Sequence, residues 1–217
     1  MAEQPQRRTP DHRGRLMRGM AAALAEKGYG ETTIADIVRH AGVSKRTFYE
    51  HFASKEACLL ALYVASSERI FQAMAAALQE APDLPSRLDR AMAAYFAPIQ
   101  GNPEVARTLF IEILAAGLPG WQVRRAVNER FAALLQGLAE AERRSNPAVR
   151  PLDRVAAMAL VGGITELVLQ AIETDHLEQL DQQIPAVAAL IEAVMVGKNK
   201  EPRTESRRDA EDAEAGR

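Results

Sequence analysis

Cysteine is almost absent: Cys58 stands alone among 217 residues. One thiol allows no internal disulfide and no cysteine-ligated zinc cluster, so nothing in the chain calls for an oxidising compartment. Aromatic residues make up only 5% of the chain. No stretch alternates polar and apolar residues for long, which speaks against an all-β sandwich. No window reaches the ~18 consecutive apolar residues a membrane span needs. The opening MAEQPQRRTPDHRGR lacks the apolar core of a signal peptide. The expectation is a cytoplasmic protein with no membrane partner. A strong charge of one sign is missing too, since 27 basic and 29 acidic residues leave a net −2. Split along the chain, the balance is uneven. Residues 1–60 carry ten basic and seven acidic side chains, residues 61–196 eleven and sixteen, and residues 197–217 six and six. A basic front on an acidic body hints at a head that binds a polyanion.

Helix-forming sequence, by contrast, is abundant: Ala, Leu, Glu and Arg recur in almost every block. RGRLMRGMAAALAEKGYG sets Leu16, Met20, Ala23 and Leu24 on one helical face and stops at Gly28 and Gly30. TTIADIVRHAG comes next, with Thr32 or Thr33 as cap, a stripe of Ile34, Ile37, Val38 and Ala41, and Gly42 where a left-handed residue ends a helix. Ser44 caps SKRTFYEHF, whose Phe48 and Phe52 share an inner face, and Ser54 caps a long fourth helix. From Pro82 onward, Pro and Gly breaks separate five helices at roughly 86–100, 104–116, 120–143, 152–173 and 178–196. The sequence therefore predicts an all-α chain of about nine helices. Its divisions are a flexible leader over 1–9, a three-helix helix-turn-helix domain over 10–56, a larger helical regulatory and dimerisation domain over 57–197, and a disordered tail over 198–217.

Two short helices joined by Ala41, Gly42 and Val43 are the strongest signal. A helix-turn-helix needs a tight turn with Gly and an apolar residue after it to lock the pair. With Phe48 and Phe52 turned inward, the third helix presents Lys45, Arg46, Thr47, Tyr49 and Glu50 outward. Such a helix fits the major groove, where Arg or Lys pairs with guanine and Thr meets a thymine methyl. The plainer reading is a solvated face that happens to carry two cations.

Thr32-Thr33-Ile34-x-Asp36-Ile37, Ala41-Gly42-Val43-Ser44, Thr47-Phe48-Tyr49-x-His51-Phe52 and Ser54-Lys55-Glu56 together resemble the DNA-binding domain of the TetR/AcrR family of bacterial transcriptional regulators. The resemblance covers about residues 10–58, and AAGLPGWQVRR and VGGITELVLQAI look like one branch's regulatory domain. It implies a homodimer that binds duplex DNA at an inverted repeat and answers to a small-molecule effector, acting most simply as a repressor. Carried over position by position, it implies that Lys45, Arg46 and Thr47 approach bases while Thr33, Tyr49, His51 and Lys55 hold phosphates. Thr33 and Ser44 open helices whose free N–H groups and dipole favour an anion. Arg46 departs from the small residue often found there in the family. Glu50 either selects a cytosine amino group or pairs with a neighbouring cation. Arg7, Arg8 and Arg13 form either a solvated leader or a minor-groove arm.

In the body, PEVARTLFIEILAAG is apolar nearly all round except for Glu112. That carboxylate either pairs with Arg107, Arg124 or Arg125 or anchors a ligand in a cavity. In the cavity reading, neutral or cationic effectors are favoured unless those arginines face inward. Met92, Tyr95, Phe96, Phe110, Trp121 and Glu166 join Glu112 as candidates to line a pocket, although core packing explains the apolar ones equally well. Gly162 and Gly163 weaken their helix unless they permit close approach. With Ile184, Val187, Ile191 and Val194 they are the candidate dimer interface. An enzyme is the competing class. Glu173-x-x-His176 is half of a di-iron bundle motif without a second copy, Cys58 reads as a small core residue, and no phosphate loop or nucleophile elbow appears. No catalytic residue, metal or cofactor is expected. A DNA-binding protein without an effector is the nearer alternative, and some 130 residues of body argue against it.

Overall fold

The computed structural model describes residues 11–197. The expected leader and tail, with Arg7 and Arg8, lie outside the described residues. Every regular element among the described residues is helical.

The first helix, α1 (His12–Glu31), is capped by Asp11, whose side chain accepts the Gly14 N–H. It breaks at Gly28, which takes φ +72° and ψ 173°, a conformation an L side chain rarely adopts. Next, α2 (Ile34–Ala41) begins with a complete capping box, in which Thr33 Oγ1 accepts from Asp36 N and the Asp36 carboxylate accepts from Thr33 N. It ends at Gly42 with φ +61°. Arg15 of α1 closes that end, donating from Nε to Ala41 O at 3.0 Å and from its guanidinium to Gly42 O at 2.8 Å. Ser44 then caps α3 (Lys45–His51). Leu16, Met20, Ile37 and Phe48, all fully buried, join the three helices into one small core.

That core is completed by α4 (Lys55–Ala77), whose Cys58, Leu59 and Leu62 pack into it. Further along, Tyr63, Ile70 and Met74 of the same helix enter a second, larger core. The boundary expected near residue 57 thus falls within a continuous helix that both cores share. The larger core is built with α5 (Leu84–Gln100), α6 (Pro103–Arg107), α7 (Ile113–Ala115), α8 (Leu118–Arg143), α9 (Arg154–Glu173) and α10 (Ile184–Val196). Helix α5 starts two residues earlier than the sequence predicts, because Asp83 caps it and Pro85 sits in the first turn, where its missing N–H costs nothing. The last expected helix divides into a 3₁₀ stretch, Leu177–Gln183, and α10, which restarts with Pro185 in its first turn. Between α6 and α7 the run continues through a π-helical turn, Thr108–Glu112.

Two glycines mark close approaches. A Cβ on Gly120 would lie 1.9 Å from Ile113 O, and one on Gly19 would lie 2.5 Å from Ile37 O and 2.9 Å from Ala41 N. Gly19→Ala must push α2 away from α1, and backbone atoms yield little. The overpacking cost of about 1–3 kcal/mol exceeds the helix-propensity gain of about 1 kcal/mol, so the variant's urea unfolding midpoint should fall below wild type.

Candidate functional site

On the head, Lys45, Arg46, Tyr49, Glu50 and His51 are exposed on the face of α3 opposite Phe48. Ser44 Oγ accepts the Thr47 N–H at 3.0 Å and lies 3.0 Å from the Thr47 hydroxyl, so both side chains are tied to the start of the helix. Arg46 Nε donates to Glu50 Oε1 at 3.1 Å, the pairing reading of Glu50, in the chain by itself. The start of α1 adds to this surface: the His12 and His51 rings meet edge to face at 6.1 Å, and the Arg13 guanidinium lies 5.3 Å from the Phe52 ring centre. Thr33 is exposed at the first turn of α2. These groups make a cationic, hydrogen-bonding face around a short projecting helix.

Lys55 is not part of that face. Its ammonium donates to the carbonyls of Tyr29 at 2.7 Å and Thr32 at 2.8 Å, approaches that of Gly30 at 3.4 Å, and sits 4.3 Å over the Tyr29 ring. In the chain by itself the broken end of α1 leaves carbonyls without helical partners, and Lys55 answers them. Of the two readings of Glu112, pairing with Arg107 is the one seen, and the cavity role is not. Its buried carboxylate leaves the cavity side and accepts the Tyr29 N–H at 2.8 Å and an Arg107 N–H at 3.1 Å. Charged hydrogen bonds of this kind contribute about 1.5–3 kcal/mol each.

The body encloses a narrow cavity of about 50 Å³ between α4, α5, α8, α9 and the π-helical turn. Met92, Tyr95 and Phe110 line it as the sequence predicts. Phe96 is buried in the core away from it, Glu166 points outward from α9, and Trp121 is 54% exposed on an outer groove. The lining that sequence reasoning missed is polar: Tyr63, Ser67, Arg124, Asn128 and Thr165. Arg124 and Asn128 border both the cavity and the outer groove, whose other walls are Leu118, Trp121, Gln122 and Arg125. Burial raises the Tyr63 phenol to about 12 and the Tyr95 phenol higher still, while the Arg124 charge acts on both in the opposite sense. Arg124 stacks over Trp121 at 5.8 Å, and neither it nor Arg125 has a carboxylate partner among the described residues.

Residues 17–62 match the sequence profile of bacterial regulatory proteins of the tetR family. The chain is 24% identical over 157 residues to the fatty acid metabolism regulator protein of Bacillus subtilis, covering 70% of this chain and 79% of that one. The fold is similar to the fatty acid degradation regulator FadR of Bacillus halodurans, with a TM-score of 0.76, 19% identity, and 90% and 100% of the two chains covered. It is also similar to FadR of Bacillus subtilis solved with stearoyl-CoA, with a TM-score of 0.73, 20% identity, and coverage of 86% and 99%. The head therefore matches the DNA-binding segment of tetR-family regulatory proteins, and the chain as a whole has the fold of the FadR regulators. The proteins it matches are transcriptional regulators and not enzymes, and the Glu173-x-x-His176 pattern is accounted for locally: His176 pairs with Glu178 at 3.1 Å beyond the end of α9.

One further surface of the chain stands out. Helix α9 is long and apolar enough to cross a membrane by length and composition, yet only a third of it is buried. Its outer side carries Val155, Ala159, Gly162 and Gly163, beside Ala186, Ala189, Leu190, Ala193 and Val194 of α10. A Cβ on either glycine would meet nothing within 4 Å. The expected interface set is therefore divided. Gly162, Gly163 and Val194 are outward, whereas Val187 and Ile191 are buried in the chain's own core and Ile184 is half-buried against it.

The head's local stability depends on pH through Asp36. Lys27 at 2.9 Å and the Thr33 hydroxyl and N–H hold its carboxyl well below the usual carboxylate range. A depressed folded pKa contributes stability that is present above the unfolded value of about 4 and is lost as pH falls below it. Asp36→Asn should melt lower than wild type near neutral pH, and the gap between the two melting temperatures should close progressively below about pH 4.

Proposed function

We propose that the chain acts in the cytoplasm as a homodimer that binds an inverted-repeat operator and is released by an effector with an apolar body and an anionic head, the chemistry of a long-chain acyl thioester. The observation that carries this reading is Arg124, set where the apolar cavity meets the outer groove. Since Arg124 and not Glu112 borders the cavity, the preference for neutral or cationic ligands reverses. Trp121 and Arg125 extend a cationic and aromatic surface outward from it. The stearoyl-CoA held by FadR of Bacillus subtilis, a protein of the same fold, supports the same class. The cavity is far smaller than the roughly 300–1,000 Å³ of a drug-sized site, so the ligand must part the helices to enter. Met74 and Met92 are adaptable wall elements for that.

On the DNA side, Lys45, Arg46 and Thr47 reach base edges, while Thr33, Ser44, Tyr49 and His51 hold phosphates at two helix starts and their flanks. The partner for the outer face of α9 and α10 is a second copy. A self-complementary patch of small and apolar residues forms a four-helix interface about a two-fold axis, and the glycines let the backbones approach.

Titration with stearoyl-CoA should weaken operator binding roughly 5- to 150-fold, the span of a typical coupling. Arg124→Leu should bind the acyl-CoA about tenfold more weakly, as loss of one charge-assisted contact implies. Tight stearoyl-CoA binding with unchanged operator affinity would sink effector control and favour a DNA-binding protein without an effector.

Gly163→Leu should abolish dimers in sedimentation and, with them, operator binding. A fully dimeric variant would place the interface elsewhere.

A further inference from the structure

The π-helical turn Thr108–Glu112 has two sides with different duties. Leu109 and Phe110 line the cavity. Two residues later, Glu112 reaches the head and accepts the Tyr29 N–H at 2.8 Å. Tyr29 is the first residue after the Gly28 break, so its N–H lies where α1 changes direction. Its carbonyl accepts from Lys55, the first residue of α4, and α4 in turn supplies Tyr63, Ser67, Ile70 and Met74 to the cavity. Two routes from the cavity therefore end on the two sides of one residue's backbone.

The turn has an alternative register. A single π turn carries one residue more than an α-helical turn of the same rise, so it converts to α-helix only by a register shift that turns the side chains beyond it. The Thr108 hydroxyl is buried in that turn without a hydrogen-bond partner, a cost the present register bears. Glu112 is fixed through the turn and through Arg107, whose guanidinium donates to its other oxygen from a half-exposed position.

From this geometry we infer that Glu112 is a positioning residue for DNA recognition: through the Tyr29 N–H it sets the angle at which the helix-turn-helix leaves the body, and displacement of Leu109 and Phe110 by a cavity ligand withdraws it. The inference rests on the operator-binding reading above and adds the residue that transmits the effector's signal.

The test compares Glu112→Gln, which keeps an acceptor for Tyr29, with Glu112→Met, which keeps the length and offers none. Both are made in the full chain, with an operator obtained by selection from randomised DNA. Without any acyl-CoA, Glu112→Met should lose at least about fivefold in operator affinity, the lower end of a typical coupling, while remaining dimeric and folded. Glu112→Gln should stay within about twofold of wild type. With stearoyl-CoA as probe, the remaining release should shrink in Glu112→Met by the factor already lost. Equal affinity of Glu112→Met and wild type, or equal loss in both variants, would overturn the inference. Should Glu112→Met fail to fold, hydrogen exchange of the Tyr29 amide in the wild type decides, because an amide exchanging as fast as an exposed one rules out the hold. Failure of effector control reads differently: the wild type binds stearoyl-CoA without release, while the acyl-CoA-free comparison of the two variants still decides the role of Glu112.

Discussion

The backbone of Tyr29 is held from both sides, its N–H by Glu112 and its C=O by Lys55. Much else depends on that constraint. Gly28 breaks α1 and leaves polar backbone groups near the interior, where each unpaired group costs more than the bond it would have made. Two charged side chains from distant parts of the sequence satisfy them. In doing so they bind the last turn of α1 to α4 and to the π-helical turn, where the head meets the body. Ala116, just beyond α7, packs into the head's core at the same junction and gives it an apolar component.

The head is legible in the sequence because its determinants are local. Thr33, Ser44 and Ser54 each cap the helix that begins after them, and Gly42 takes the left-handed conformation that its position between two short helices demands. Capping and turn chemistry act within four residues, so reading them needs no knowledge of the rest of the fold. Arg15, in the same region, gives no such signal. Its bonds to Ala41 and Gly42 cross 26 and 27 residues, and an arginine on an amphipathic helix carries no mark of which carbonyl it will find.

In the body the difficulty lies in helical phase. Helix α10 is apolar nearly all round, so Leu190 and Ile191 look alike in sequence although Ile191 is buried and Leu190 is exposed. The π turn is equally invisible in the sequence, which does not mark that Glu112 faces Tyr29 while Leu109 and Phe110 face the cavity. Trp121 shows the limit of residue type as a guide. Its size suggests a core position, but it stands in the first turn of α8, whose backbone is pressed onto Ile113 through Gly120, and that geometry turns the indole outward toward Arg124.

The small volume of the cavity bears on how a signal would cross the chain. A space of about 50 Å³ holds a few water molecules. On the proposed reading an acyl chain entering it separates α4, α5, α8 and α9: Met74 and Met92 adapt by changing rotamer, but the close-packed Tyr and Phe walls cannot yield without moving backbone. A ligand that fitted a ready-made void would bind tightly and shift nothing, since only a difference in affinity between two arrangements moves an equilibrium. A narrow cavity would supply that difference by its construction: on the proposed reading the ligand-bound arrangement is one in which α4 and the π-helical turn have moved, and both are bonded to Tyr29. The feature that weakens binding, the work of opening, is therefore the same feature that would make binding informative to the head.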